Sequence, residues 1–263
     1  SKIVSYLGNI IVNGHNDISG RVSNNSTVEI QIPVSNNKSK KNNYVEDLKN
    51  LGSERFTKKI KETPYTLITD TTMRDAHQSL LAARMRSFDQ LEVADAIAQN
   101  ADKLYSLECW GGATFDTTMR FLYENPFKRL RRLRERIPNI CFQMLLRGAN
   151  GVGYSHYPDN VIRGFIKHSA QSGMDIFRVF DSLNYLPNLK VAMESIRKDT
   201  NSVCEATICY TGDILDPKRD KYTLEYYVKI AKELEQMGAH ILALKDMSGL
   251  CYPNAAYRLV KTL

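Results

Sequence analysis

Thr69-Asp70-Thr71-Thr72-Met73-Arg74-Asp75-Ala76-His77-Gln78 decides the reading of this chain. The apolar run 65–68 stands just before it, so the pattern predicts a strand ending in a carboxylate, a guanidinium, an imidazole and an amide. A buried strand holds such groups on one rigid mouth, where they can bind a metal and an acid substrate. The plainer alternative is a polar turn in which Asp75 and Arg74 satisfy each other and nearby backbone groups. Gln78 follows Asp75 at a spacing that can share one concave surface, and two later strand ends are similarly polar. The stretch is therefore read as part of an active site.

Outward from it, apolar runs predict strands near 65–68, 104–110, 140–146, 176–180, 203–210 and 241–244. Helical patterns lie between them. One spans 87–99, opened by a Ser87-x-x-Gln90 capping box; another spans 223–237, where Tyr227, Ile230, Ala231 and Leu234 form an apolar stripe. A shorter pattern begins at Val45 and runs through Leu48 and Leu51, with Ser53 as cap of a second turn carrying Phe56 and Ile60. Strands that read as apolar throughout are covered on both faces, which indicates a parallel α/β arrangement. A doubly wound sheet needs a glycine-rich phosphate loop after its first strand, and 70–78 has none. The expected fold is thus a TIM (β/α)8-type barrel. It is incomplete, with about six β/α units and an irregular N-terminal extension: roughly 200 residues follow Pro64, against about 250 for a full barrel.

Composition narrows the class. With 43% hydrophobic and 25% charged residues over 263 positions, the chain can bury one sizeable core. No run is long and apolar enough to span a bilayer, no secretory signal is present, and the chain opens on Ser1. The cytoplasm or the mitochondrial matrix is the expected compartment. The net charge of +7 is densest at Lys128, Arg129, Arg131, Arg132, Arg134 and Arg136. Phe127, Leu130, Leu133 and Ile137 recur there at helical spacing, so the block reads as the wet face of an amphipathic helix and no nucleic-acid partner is expected. The five cysteines are scattered without a CxxC pair and read as reduced core thiols. Residues 1–44 form a connector, partly flexible, rich in Asn and Ser at 24–43 and strongly apolar only at 3–12; residues 45–263 carry the barrel.

Further polar groups are expected at the same mouth. The second strand runs out into Gly111-Gly112, which permit close backbone approach, and then Asp116. The third ends at Arg147, followed by Tyr154; an arginine there offers a two-pronged fit to a carboxylate, or a salt bridge to a neighbouring acid. Lys245 closes the sixth strand. Burial would favour its neutral amine, which can form a Schiff base, act as a base, or take up carbon dioxide as a carbamate and so become an anionic metal ligand. Pairing with Asp246 or Asp75 is the alternative. His77 is read as a structural donor, and His15, His156, His168 and His240 as solvent-facing or capping. Asp181 would bond Arg178 or line the mouth, and Asp213 is open.

From about Val45 onward the chain resembles the carboxyltransferase domain of the pyruvate carboxylase family, through 70–78, 110–116, 143–147, 177–184, 209–215 and 245–249. The leading piece 6–14 resembles the segment that enters that family's allosteric, tetramerising domain. The resemblance implies transfer of a carboxyl group from carboxybiotin to pyruvate, giving oxaloacetate. Arg74, Lys245 and Asp116 would be catalytic, while Gln78, Arg147 and Tyr154 would bind substrate. Asp75 and carbamylated Lys245 would hold a divalent zinc or manganese ion with a His-x-His pair that this chain lacks, so the chain alone is expected to be nearly inactive. Biotin would arrive on a carrier domain, ATP would serve a domain not present here, and a homo-oligomer, a tetramer in the family, is expected. Ser248 and the Cys251-Tyr252 pair depart from the family pattern without touching these positions. Alternatives are the α subunit of a biotin-dependent oxaloacetate decarboxylase or transcarboxylase, a metal-dependent lyase or Claisen-type synthase with a similar Arg-Asp turn, and a non-catalytic scaffold.

Overall fold

The computed structural model describes residues 2–13, 42–79 and 85–263. Six strands, β1 (Thr69–Asp70), β2 (Ser106–Trp110), β3 (Cys141–Leu146), β4 (Ile176–Val179), β5 (Val203–Tyr210) and β6 (Ile241–Asp246), form one parallel sheet in the order 1-2-3-4-5-6. Each strand pairs with the next in sequence, and the sheet curls into a half-barrel flanked by helices. This is the arrangement of the (β/α)8 class. No helix among the described residues is long and apolar enough to cross a membrane.

Alternate strand residues face opposite ways. Leu107, Phe142, Met144, Leu146, Phe177, Val179, Ala206 and Ile208 join the main core with Leu130 and Leu133 of α4 (Pro126–Arg136), Ile162 and Ile166 of α5 (Asp159–Gln171), and Leu189 and Ile196 of α6 (Pro187–Asp199). Tyr227, Ile230 and Leu234 of α7 (Leu224–Gln236) complete this layer. The positions between them, Ser106, Glu108, Gln143, Arg178, Glu205 and Thr207, are polar, and all but Arg178 are buried. The strands are thus not apolar throughout, as their sequence suggested. They have an oily outer face and a polar inner one.

The N-terminal end of the barrel is closed by α2 (Tyr44–Lys61), which places Tyr44, Val45, Leu48 and Phe56 against Tyr105, Cys141, Ile176 and Val203. Phe56 stacks on Tyr105 at 6.2 Å between centroids. The helix breaks at Gly52, whose φ of 72° costs glycine little, so the expected two-part helix is found. The first strand differs from expectation. Tyr65 and Ile68 are exposed, and only Thr69 and Asp70 pair with β2, because the ladder partner begins at Ser106.

The N-terminal capping box of α3 (Ser87–Asn100) lies one residue earlier than expected. Asp89 accepts the Arg86 N–H at 3.0 Å, while Ser87 turns away and donates its N–H and hydroxyl to Glu124, at 3.1 and 2.6 Å. The basic block does form the amphipathic helix α4, but two of its arginines are structural. Arg129 is 1% exposed and binds Ser87 and Glu124, and Arg134 caps the carbonyls of Ile137, Ile140 and Gly173 and pairs with Asp175. All five cysteines are free, and burial pushes the Cys109 and Cys204 thiols up to about 12. A last helix, α8 (Pro253–Thr262), follows β6.

A separate N-terminal unit contains α1 (Lys2–Asn13), so this part is not irregular as expected. Ile3, Leu7 and Ile10 recur at i, i+4 and i+7, the spacing of one helical face, which outweighs the β-branching of its residues. His15 and most of the Asn-rich connector lie outside the described residues.

Candidate active site

At the C-terminal end of β1 the chain enters a single π turn, Thr72–Ala76, anchored by Asp70, which accepts the Thr72 N–H at 3.0 Å. Such turns are rare and re-aim side chains. Here the turn drives Arg74 inward until it is 6% exposed. Its Nε donates to Glu108 at 2.6 Å and its Nη1 to Asp75 at 2.7 Å. Glu108, fully buried on β2, binds Arg178 with its second oxygen, which also accepts Gln143 Nε2 at 3.3 Å. The chain of bonds continues from Thr69 to the Ser106 hydroxyl at 2.7 Å and from Ser106 to Gln143 Oε1 at 2.9 Å. Buried charges persist only when paired and hydrogen-bonded, and these are.

Gly111 and Gly112 show why the mouth needs a diglycine. A Cβ on Gly111 would stand 2.9 Å from Arg74 Cδ, and one on Gly112 would stand 2.6 Å from Arg147 Cζ. Two arginines thus pack against adjacent backbone units. Arg147 donates to the Gly153 carbonyl at 3.2 Å, its guanidinium lies 5.0 Å from the Tyr154 ring centroid, and Tyr154 donates to Asp116 at 2.5 Å. Arg120 approaches the other oxygen of Asp116 at 3.6 Å. Arg74 with Asp75, and Arg147 with Tyr154 and Asp116, thus form two groups that pack on the adjacent glycines Gly111 and Gly112. Among the described residues, Arg147 has no carboxylate partner, whereas Arg74 and Arg178 share Glu108.

Two expected members, Gln78 and Lys245, make no hydrogen bond or ion pair with these groups among the described residues. Gln78 is half-buried on the short turn His77–Ser79, and the His77 side chain lies outside the described residues. Lys245 is half-buried at the end of β6, with Nζ 5.8 Å from the Phe180 ring centroid and Cys209 as its register partner. It forms no ion pair with Asp246, because strand alternation sends the two to opposite faces and Asp246 instead accepts the N–H groups of Leu250 and Cys251, at 3.0 and 2.9 Å. Nor does it pair with Asp75, which is held by Arg74. No three His, Cys, Asp or Glu side chains among the described residues converge to hold a metal ion.

Other expectations change. Asp181 does not bond Arg178; it organises its own loop, accepting the Leu183 and Tyr185 N–H groups and Asn188 Nδ2, at 2.8, 3.1 and 2.8 Å. Asp213 likewise caps Leu215 at 2.9 Å. His240 is buried rather than solvent-facing. Its Nδ1 accepts the Cys204 N–H at 2.9 Å, and burial holds its pKa below the usual value. From sequence, the inner-face residues Glu108, Gln143 and Glu205 were given no role and Arg178 only a bond to Asp181, although polar residues at every second position of apolar strands were a usable signal.

Glu205 responds to that interior. Burial pushes its pKa from 4.5 up to about 7, outweighing the lowering effect of Arg178 at 4.0 Å. A raised carboxyl binds its proton more tightly folded than unfolded, so stability falls as pH rises through this interval. Glu205→Gln, which cannot ionise, is expected to lose less. The gap between the urea midpoints of variant and parent should open from about pH 5 to about pH 8, and parallel profiles would contradict it.

Fold and mouth together define the class: an α/β barrel of the (β/α)8 type with a cationic cluster at the C-terminal ends of its strands. No family model matches the chain. Over its whole length, however, it is 50% identical to the pyruvate carboxylase of Bacillus subtilis, of which it spans 23%. It superposes on the carboxyl transferase domain of Rhizobium etli pyruvate carboxylase with pyruvate, with a TM-score of 0.87 at 49% identity, covering 100% of this chain and 44% of that one. The same domain with oxamate and biotin gives 0.85 at 48% identity, with the same coverages. The chain belongs to the pyruvate carboxylase family, within the region of its carboxyl transferase domain.

Proposed function

We propose that residues 45–263 form the pyruvate-binding side of a carboxyltransferase site, which moves a carboxyl group from carboxybiotin to pyruvate to give oxaloacetate, and that residues 1–44 connect it to a neighbouring domain. The observation that carries this reading is Arg147, a guanidinium seated on Gly112 at a barrel mouth and, among the described residues, without a carboxylate of its own. Such a group fits a small carboxylate in two-pronged fashion. The solved relatives with pyruvate and with oxamate and biotin support the substrate class and the involvement of biotin.

In this reading Arg147 and Gln78 orient pyruvate. The Tyr154–Asp116 pair stands beside the carboxylate seat, and Arg147 offsets the negative charge that grows on pyruvate oxygen when a methyl proton passes to the biotin nitrogen that has given up its carboxyl group. Asp75 and a carbamylated Lys245 would supply two donors to a divalent ion. The described residues do not complete such a site.

The test is biotin-dependent decarboxylation of oxaloacetate by the chain joined to the remainder of a relative's carboxyl transferase domain. Pyruvate release that requires biotin, and falls at least a hundredfold in Lys245→Ala, is expected. Absence of biotin dependence would reject the reaction, and full activity in Lys245→Ala would reject the role of the lysine.

A further inference from the structure

Glu108 lies below the mouth, fully buried, with no exposed atom to offer a ligand. One oxygen takes Arg74 Nε at 2.6 Å, and the other takes Arg178 and Gln143. Among the described residues Arg74 has two partners, this carboxylate and Asp75 at 2.7 Å, and Gly111 leaves room for its side chain on the far side. Without Glu108, a buried guanidinium would keep a single half-exposed carboxylate as counter-charge and would be drawn toward it.

We infer that Glu108 is a positioning residue, which acts through Arg74 to fix the orientation of Asp75 and, through the Gly111-Gly112 backbone on which Arg74 and Arg147 both pack, the shape of the anion seat. Arg178 and Gln143 hold Glu108 in turn, so the geometry of the mouth is set from the barrel interior rather than from its loops. The loops carry the ligand-facing atoms, whereas the strands hold them rigid. This rests on the reading of Arg74 and Asp75 as part of the site.

Glu108→Gln removes the charge at nearly constant volume, and combined with Arg74→Lys it completes a double-variant cycle read on oxamate affinity by calorimetry. Residues that act as a unit lose function together, not additively. Each single variant is expected to bind oxamate at least tenfold more weakly, with the double variant no weaker than the poorer single one. Affinity within twofold of the parent for Glu108→Gln, or fully additive losses, would overturn the inference. If Glu108→Gln does not fold, Glu108→Asp, which keeps the charge one methylene short, is used in its place under the same criteria. If the parent chain binds no oxamate, the proposed function fails, and the positioning is decided by the Arg74 Nε–H resonance. Exchange with water at least tenfold faster in the Glu108 variant sustains it, and unchanged exchange rejects it.

Discussion

Arg147→Ala is expected to weaken oxamate binding by at least a hundredfold. A two-pronged guanidinium–carboxylate contact comprises two charge-assisted hydrogen bonds, each contributing about 1.5–3 kcal/mol, and each 1.4 kcal/mol is about a factor of ten in affinity. The sum is roughly 3–6 kcal/mol, or about two to four decades. Folding should change little, because among the described residues the guanidinium bonds only the Gly153 carbonyl and rests on the exposed Tyr154 ring. Calorimetric titration together with a urea midpoint separates the two effects. Binding within threefold of the parent would show that the carboxylate seat lies elsewhere.

Gly112→Ala is expected to produce a loss of similar size while leaving Arg147 in the sequence. The added methyl would sit 2.6 Å from Arg147 Cζ, closer than carbon atoms approach, so the guanidinium must move. The end of a long side chain can move, so the fold survives. Gly112 opens a short helical turn, Gly112–Asp116, where alanine is favoured over glycine by up to about 1 kcal/mol. Stability should therefore hold or rise slightly while oxamate affinity collapses. Unchanged affinity in this variant would mean that the arginine works from a second position.

The strands were largely legible because their outer faces are apolar and their ends are marked by turns; β5 begins at Val203 and ends at Tyr210 as the sequence indicates. The start of the barrel was not. The apolar run 65–68 suggested a ladder, but pairing depends on where β2 begins, which no local pattern encodes. The mouth residues Arg74, Asp75, Asp116, Arg147 and Tyr154 could be found because each closes a strand or follows a glycine turn, and the structure pairs Arg74 with Asp75 and groups Arg147 with Tyr154 and Asp116. Lys245 was legible as a strand end, but its relation to Asp75 depends on groups that periodicity does not reveal. Arg129 and Arg134 were misread as wet because a helical wheel shows a charge on the polar face without showing the acid, Glu124 or Asp175, that draws it under. Glu108 and Gln143 were missed for the converse reason. Single polar letters inside an apolar run are easily taken for noise, whereas in a barrel they point at one another across strands.

The line of bonds from Thr69 through Ser106 and Gln143 to Glu108 and its two arginines constrains how this chain can drift over generations. Each member's donor or acceptor is matched to the next, so an isolated exchange leaves a neighbour buried and unmatched, whereas oily residues on the opposite face can be swapped singly for others of like volume. Divergence within the barrel is therefore expected to arrive in sets, with compensating replacements on adjacent strands, while the helix-facing layer varies one site at a time.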